Sequence, residues 1–187
     1  GIVEKDAIID GSDISVGDQI IGLASNGLHS NGYSLVRRII FQDLDLSQDD
    51  LIPECGCSVA DELLRPTHIY AEAVQLVLRD FKISGMAHIT GGGIHDNLPR
   101  ILPSACQAIL KKGSWEVPRI FPFLQNKGNI SDTEMYRVFN NGIGYVLVVP
   151  APSLEAVLEL LEGLGEKAFH IGSIHKREGD YPPVVIE

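Results

Sequence analysis

Residues 17–40 read GDQIIGLASNGLHSNGYSLVRRII. An apolar run over 17–24 enters a corner, and a stretch with Leu35, Val36, Ile39 and Ile40 on one helical face leaves it. The corner and its lead-in, GLASNGLHSNGY, hold three glycines, two serines, two asparagines and one histidine. This predicts a strand, a tight polar corner and a helix. Gly27 and Gly32 suit positive φ and let a ligand approach the main chain. Asn31 is placed to cap the helix, whose first N–H groups would favour an anion. His29 is the one side chain of the corner that exchanges a proton near neutral pH. A turn in which Ser30 and Asn31 merely cap a helix explains the same residues.

Two further joints repeat the arrangement. The run GMAHIT (85–90) reads as a buried strand entering Gly91-Gly92-Gly93. Three consecutive glycines can expose up to three backbone N–H groups, a shape suited to phosphate. No Lys-Ser/Thr pair follows, so it is not a Walker A loop. His95, Asp96 and Asn97 then serve as ligand contacts or as capping residues. The third joint, MYRVFNNGIG (135–144), joins a helix opened by the capping box Ser131–Glu134 to an apolar strand over 144–149. Asn141-Gly142 is its expected C-cap.

Around these joints the order is irregular. Residues 41–60 read as an acidic loop, and 61–65 as a short helix stopped by Pro66. Thr67 is the expected N-cap of a helix through Asp80 burying Ile69, Ala73, Val74, Val77 and Leu78. Pro99 suits the first turn of a short helix. Ser153 is expected to cap a helix with Leu154, Val157, Leu158, Leu161 and Leu164 inward. A strand over 168–174 and an extended tail over 181–186 complete the chain. Strands and helices mixed in this way predict an α+β fold, a mixed β-sheet flanked by α-helices.

The bulk properties bound the function. The 187 residues carry a net charge of −10, which argues against a nucleic-acid surface. No apolar run approaches the roughly 20 residues of a membrane span. Cys55, Cys57 and Cys106 match neither a zinc spacing nor an even disulfide framework, so reduced thiols and a cytoplasmic setting are expected. His68, His88, His170 and His175 are scattered without metal-ligand spacing, and no metal site is expected. No Gly-x-Ser-x-Gly elbow offers a hydrolase nucleophile. Trp115 reads as a packing residue.

Four runs, GDQIIGLASNGLHSNGYSLVRRI, LLRPTHIY, GMAHITGGGIHDNLPRILP and EMYRVFNNGIGYVLVVP, resemble the C-terminal half of the aminoimidazole ribonucleotide synthetase family, the phosphoribosylformylglycinamidine cyclo-ligases. They follow the family's order and spacing over most of the chain. The resemblance implies a single C-terminal domain, 1–187, of a two-domain enzyme. Residues 1–14 would be the interdomain junction, and an N-terminal half would carry ATP, Mg2+ and the homodimer contacts. It implies an ATP-dependent ring closure in purine biosynthesis on a phosphorylated small molecule, with the isolated half inactive. By position, His29 and Asn31 would be catalytic. Ser30, Gly32, Thr90, Gly91, Gly92, Gly93, Asn97 and Asn140 would bind substrate or phosphate. Two residues depart from the pattern: His68 stands where Arg is frequent, and Asn141 where an apolar or sulphur-bearing residue is expected.

Thiamine-phosphate kinase, selenophosphate synthetase and the amidotransferase acting one step earlier share the architecture. LLRPTHIY together with FNNGIGY favours the cyclo-ligase. The competing class is a stand-alone ligand-binding or interaction module. The coding sequence upstream of Gly1 separates the two.

Overall fold

The computed structural model describes residues 2–187, so position 1 of the expected junction lies outside it. Its centre is a six-stranded mixed sheet. The strands are β1 (Gln19–Ala24), β4 (Gly85–His88), β5 (Cys106–Leu110), β6 (Ile143–Val149), β7 (Ala168–Lys176) and β8 (Val184–Ile186), in the order β4-β6-β1-β7-β5-β8. All neighbours are antiparallel except β5 and β8, which are parallel. A separate two-stranded hairpin is formed by β2 (Leu51–Ile52) and β3 (Cys57–Ser58). The α+β expectation holds.

The two-residue period of the strands decides which side chain enters which core. On β1, Ile21 and Leu23 turn to one face, where β6 adds Leu147 and Val149. The helices α3 (Ala71–Asp80) and α7 (Leu154–Gly163) cover that face with Ala73, Val74, Val77, Val157 and Leu161. Ile20, Val146 and Val148 turn to the other face and meet Ile94, Leu98 and Trp115. A third cluster lies around α1 (Tyr33–Arg37), α5 (Ile120–Gly128) and α6 (Asp132–Val138), with Phe121 and Phe139 in contact at 5.9 Å between ring centres.

Several local expectations are corrected. The helix after the first corner runs only to Arg37 and continues as a π-helical turn over Arg38–Asp43, which still buries Ile39 and Ile40. Part of the expected loop 41–60 is the β2–β3 hairpin. The helix α2 (Val59–Leu63) starts two residues early because Ser58 caps it, accepting from the Asp61 N–H. Thr67 caps nothing: α3 starts at Ala71, and Ile69 stays 79% exposed. Pro66 and the extended segment after it use up the turn that Thr67 would have opened. Ser153 makes no side-chain cap, and Leu164 lies beyond the end of α7 and is 41% exposed. Ser131 does cap α6, accepting from the Glu134 N–H. The tail is β8, which pairs with β5. Within the expected junction Ile14 is buried in the core, while Ile2, Val3 and Ile8 are exposed.

Candidate active site

The three joints meet at one end of the sheet, because each lies at an end of one of three adjacent strands: the first follows β1, the second follows β4, and the third precedes β6. The third joint clamps the other two. Asn140, 3% exposed, accepts from the Ser25 hydroxyl at 2.7 Å and donates its amide to the Gly27 carbonyl at 2.8 Å. Gly32 and Gly93 both pack on the end of α6. A Cβ on Gly32 would fall on the Phe139 ring, and one on Gly93 would fall on the Tyr136 carbonyl. The first two corners also touch: a Cβ on Gly91 would lie 3.9 Å from Asn31 Oδ1.

Each corner depends on left-handed backbone. His29 (φ 50°) and Ser30 (φ 58°) hold it without being glycine, and Gly32, Gly92 and Gly93 follow suit. Non-glycine residues in this region carry strain and persist only where surroundings enforce it. Asn31 does not cap α1 as expected. Its amide donates to the His29 carbonyl at 2.8 Å, and the N-cap position is the left-handed Gly32. The side chain therefore braces the strained pair instead.

The glycine corner leaves two N–H groups without a protein partner among the described residues, not three. The Gly93 N–H turns back to the Thr90 carbonyl, whereas those of Gly91 and Gly92 make no protein hydrogen bond among the described residues. Asn97, 4% exposed, donates its amide to Gly93 O at 2.7 Å and to Thr90 O and Gly91 O at 3.3 Å. The Thr90 hydroxyl donates back to Asn97 Oδ1. Asn97 and Asn140 are thus braces whose polar atoms are already engaged. The helices after both corners, α1 and α4 (Gly93–Asn97), have five residues each. An anion at these corners would meet loop N–H groups rather than long helix dipoles.

His29 is 5% exposed, and its Nε2 lies 2.7 Å from Asn26 Oδ1. The other ring nitrogen, Nδ1, is buried without any partner. Burial first, then the neighbouring charges of His88 and His68, hold its pKa down at about 4. Tyr70 sits at the centre of this group. Its hydroxyl donates to the Ala24 carbonyl, and its ring lies 6.1 Å from His29, 4.7 Å from His68, 6.4 Å from His88 and 5.5 Å from Tyr145. Histidines far apart in sequence therefore gather on one tyrosine, which neither spacing nor period could reveal. His68 lies 2.9 Å from Glu166, so its position is built for a carboxylate contact. Beside the group opens a cleft of about 450 Å³ lined by His68, Tyr70, Val74, His88 and Tyr145.

Some expected residues are far less central. His95 packs on Tyr136, and Trp115 is buried with its indole N–H on the Asn141 carbonyl. Asn141 lies past the end of α6, yet its side-chain amide reaches back to the carbonyls of Met135 and Phe139 and so caps the helix from outside. No group of three or more His, Cys, Asp or Glu residues suited to a metal ion occurs among the described residues. Nor is any helix among them long and apolar enough to cross a membrane.

The buried neutral imidazole makes a prediction for stability. Below its ordinary value of 6.5, the unfolded chain protonates His29 while the folded chain resists until about pH 4. Stability contributed by His29 is complete above pH 6.5 and lost as pH falls towards 4, by up to ~3 kcal/mol. Urea unfolding at pH 7 and pH 4.5 should show this loss in the wild type and much less of it in His29→Gln. An equal pH dependence in both would contradict the assignment.

The chain is a helix-flanked mixed sheet with glycine corners gathered at one end, and the family match places it in the AIR synthase related class. The chain belongs to the family described as AIR synthase related protein, C-terminal domain, whose model matches residues 15–184. It is 57% identical over 178 residues to a protein named phosphoribosylformylglycinamidine cyclo-ligase from Geobacter metallireducens, covering 95% of this chain and 51% of that protein. A protein of the same name from Citrifermentans bemidjiense is 55% identical over 94% of this chain and 51% of its own length. The chain spans about half the length of the curated relatives it matches. Among solved structures, a thiamine-monophosphate kinase from Stenotrophomonas maltophilia shares the fold. Its TM-score is 0.65 at 19% identity, over 99% of this chain and 54% of that one.

Proposed function

We propose that this chain is the second half of an ATP-dependent cyclo-ligase that converts formylglycinamidine ribonucleotide to aminoimidazole ribonucleotide in purine biosynthesis. The names of its relatives support the reaction class. The observation that carries the reading is that the His29–Gly32 corner lies beside the Gly91–Gly93 corner, the first braced by Asn140 and the second by Asn97.

In this reading ATP transfers a phosphoryl group to the formyl amide oxygen, forming an O–P bond and breaking the bond to ADP. The amidine nitrogen then attacks that carbon, and the C–O bond breaks as phosphate leaves. Phosphorylation turns a poor leaving group into a good one. The protein holds the reacting atoms in place and stabilises charge. The free N–H groups of Gly91 and Gly92 take a phosphate of the substrate, with Thr90, Ser30 and Gly32 around it. Neutral His29 accepts the proton that the attacking nitrogen sheds, at Nδ1. A bound anion offsets the desolvation that depresses its pKa, which brings the imidazole nearer to a useful base. Asn31 acts through the backbone of His29.

Among the described residues no group of His, Cys, Asp or Glu is suited to a metal ion, so no step is routed through magnesium. ATP, Mg2+ and the homodimer contacts are assigned to an N-terminal domain joined through residues 1–14, where Ile2, Val3 and Ile8 offer apolar surface. The compartment is the cytoplasm. Two measurements test the reading. An enzyme carrying this half with its N-terminal domain should release ADP and phosphate from ATP only with the formylamidine substrate present. This chain alone should show no turnover. Added phosphate should nonetheless shift the amide NMR signals of Gly91, Gly92, Ser30 and Gly32 in the isolated chain. Turnover by the isolated chain, or phosphate shifts confined to other residues, would overturn it.

A further inference from the structure

His29 Nε2 has three neighbours, and they ask for opposite tautomers. Asn26 Oδ1, an acceptor, lies at 2.7 Å and needs a proton on Nε2. The backbone N–H groups of Asn26 and His68 lie at 3.3 and 3.4 Å and need a lone pair there. The shorter contact is much the stronger, provided that Asn26 cannot rotate its amide. It cannot without loss, because its Nδ2 donates to the Pro66 carbonyl at 3.0 Å. A flipped amide would bring two oxygens together at that distance.

The grip on Asn26 comes from outside the corner. Arg65 Nη1 donates to the Asn26 backbone carbonyl at 3.0 Å, and Arg65 Nη2 pairs with Glu62 at 2.7 Å. Glu62 is 4% exposed and stands at the end of α2 beside Gly27. Arg65 and Pro66 therefore hold Asn26 by its carbonyl and by its side chain at once.

We propose that Asn26, locked by Arg65–Pro66 and the buried Glu62, is the positioning residue that keeps His29 in the Nε2–H tautomer. The bare Nδ1 is then the ring atom left to take up a proton. The proposal rests on His29 being a site residue, as above, but the tautomer itself is measured without any assay. Its second, independent support is that Nδ1 is buried and has no protein partner. The large majority of buried side-chain polar atoms are hydrogen-bonded, so an unsatisfied one calls for a role.

Long-range proton–nitrogen NMR of the imidazole at pH 7, on this chain, reads the tautomer directly. The wild type should show a protonated Nε2 and an unprotonated Nδ1. In Asn26→Ala the two backbone N–H groups inherit Nε2, so the two nitrogen shifts should exchange. Asn26→Asp, which keeps an acceptor oxygen, should retain the wild-type pattern. Arg65→Met should give a mixture. A wild type protonated at Nδ1 would overturn the proposal, as would an unchanged tautomer in Asn26→Ala. If that variant fails to fold, the wild-type spectrum still decides. In an enzyme that includes the N-terminal domain, Asn26→Ala should lower kcat about 100-fold with little change in KM. Tautomer exchange with normal kcat would leave the positioning intact and reject His29 as the base.

Discussion

Replacing His29 by Ala in an enzyme that contains both domains is expected to lower kcat by about 10²–10⁴, the usual worth of a positioned proton-transfer group. The ring is buried against Tyr70 and Gly144, so its removal also leaves a small void, at a cost of roughly 1–3 kcal/mol. His29→Asn separates the two effects. Asn tolerates the left-handed backbone of this position and keeps a polar side chain, but it cannot take up a proton. It should stay folded and be nearly as impaired in turnover. If His29→Asn kept near-normal activity with wild-type KM, the imidazole would be a bracing group and the proton would leave by another route.

The largest effect on the fold is expected at Gly93. Its φ is 59°, and a Cβ there would fall on the Tyr136 carbonyl oxygen and lie 2.8 Å from that of Phe139. Both obstacles are backbone, so no side-chain rotation relieves them. Either the corner moves off α6 or α6 shifts within the third core cluster. Gly93→Ala should therefore destabilise by about 3 kcal/mol or more, with loss of phosphate-induced shifts at the corner. Gly91→Ala is the control. Its nearest neighbour would be Asn31 Oδ1 at 3.9 Å, so it should stay within about 1 kcal/mol of wild type. Equal stability of the two variants in urea titration would mean that the corner does not rest on α6 as described.

Local signals were read well where one short stretch decides the outcome. The strand, polar corner and helix over 17–40 follow from apolar period and glycine placement, and Ser131 caps α6 as its spacing predicts. Pro99 lies in the first turn of a 3-10 helix. Local sequence leaves a choice where a side chain has two local uses. Asn31 and Thr67 both suit an N-cap, but Asn31 bonds back to His29 and Thr67 precedes an extended segment. Asn97 and Asn140 look like ligand contacts in sequence because they are polar and flank glycines. In the fold they are buried braces. The histidine group on Tyr70 spans 59 positions, from His29 to His88, and the Arg65–Asn26 contact spans 39, so only the tertiary fold brings them together.

By itself the amino-acid order determined the fold class, the family and the three polar corners. The fold class and the corners follow from contacts between residues a few positions apart, where period, caps and positive-φ glycines act, and the family from the resemblance of four runs. Tertiary structure alone decided that the corners adjoin, that two rather than three glycine N–H groups stay free, and that His29 is neutral with one bare nitrogen. Those properties depend on desolvation and on hydrogen-bond competition. Both are set by what packs against a group from distant parts of the chain, and no local pattern records that.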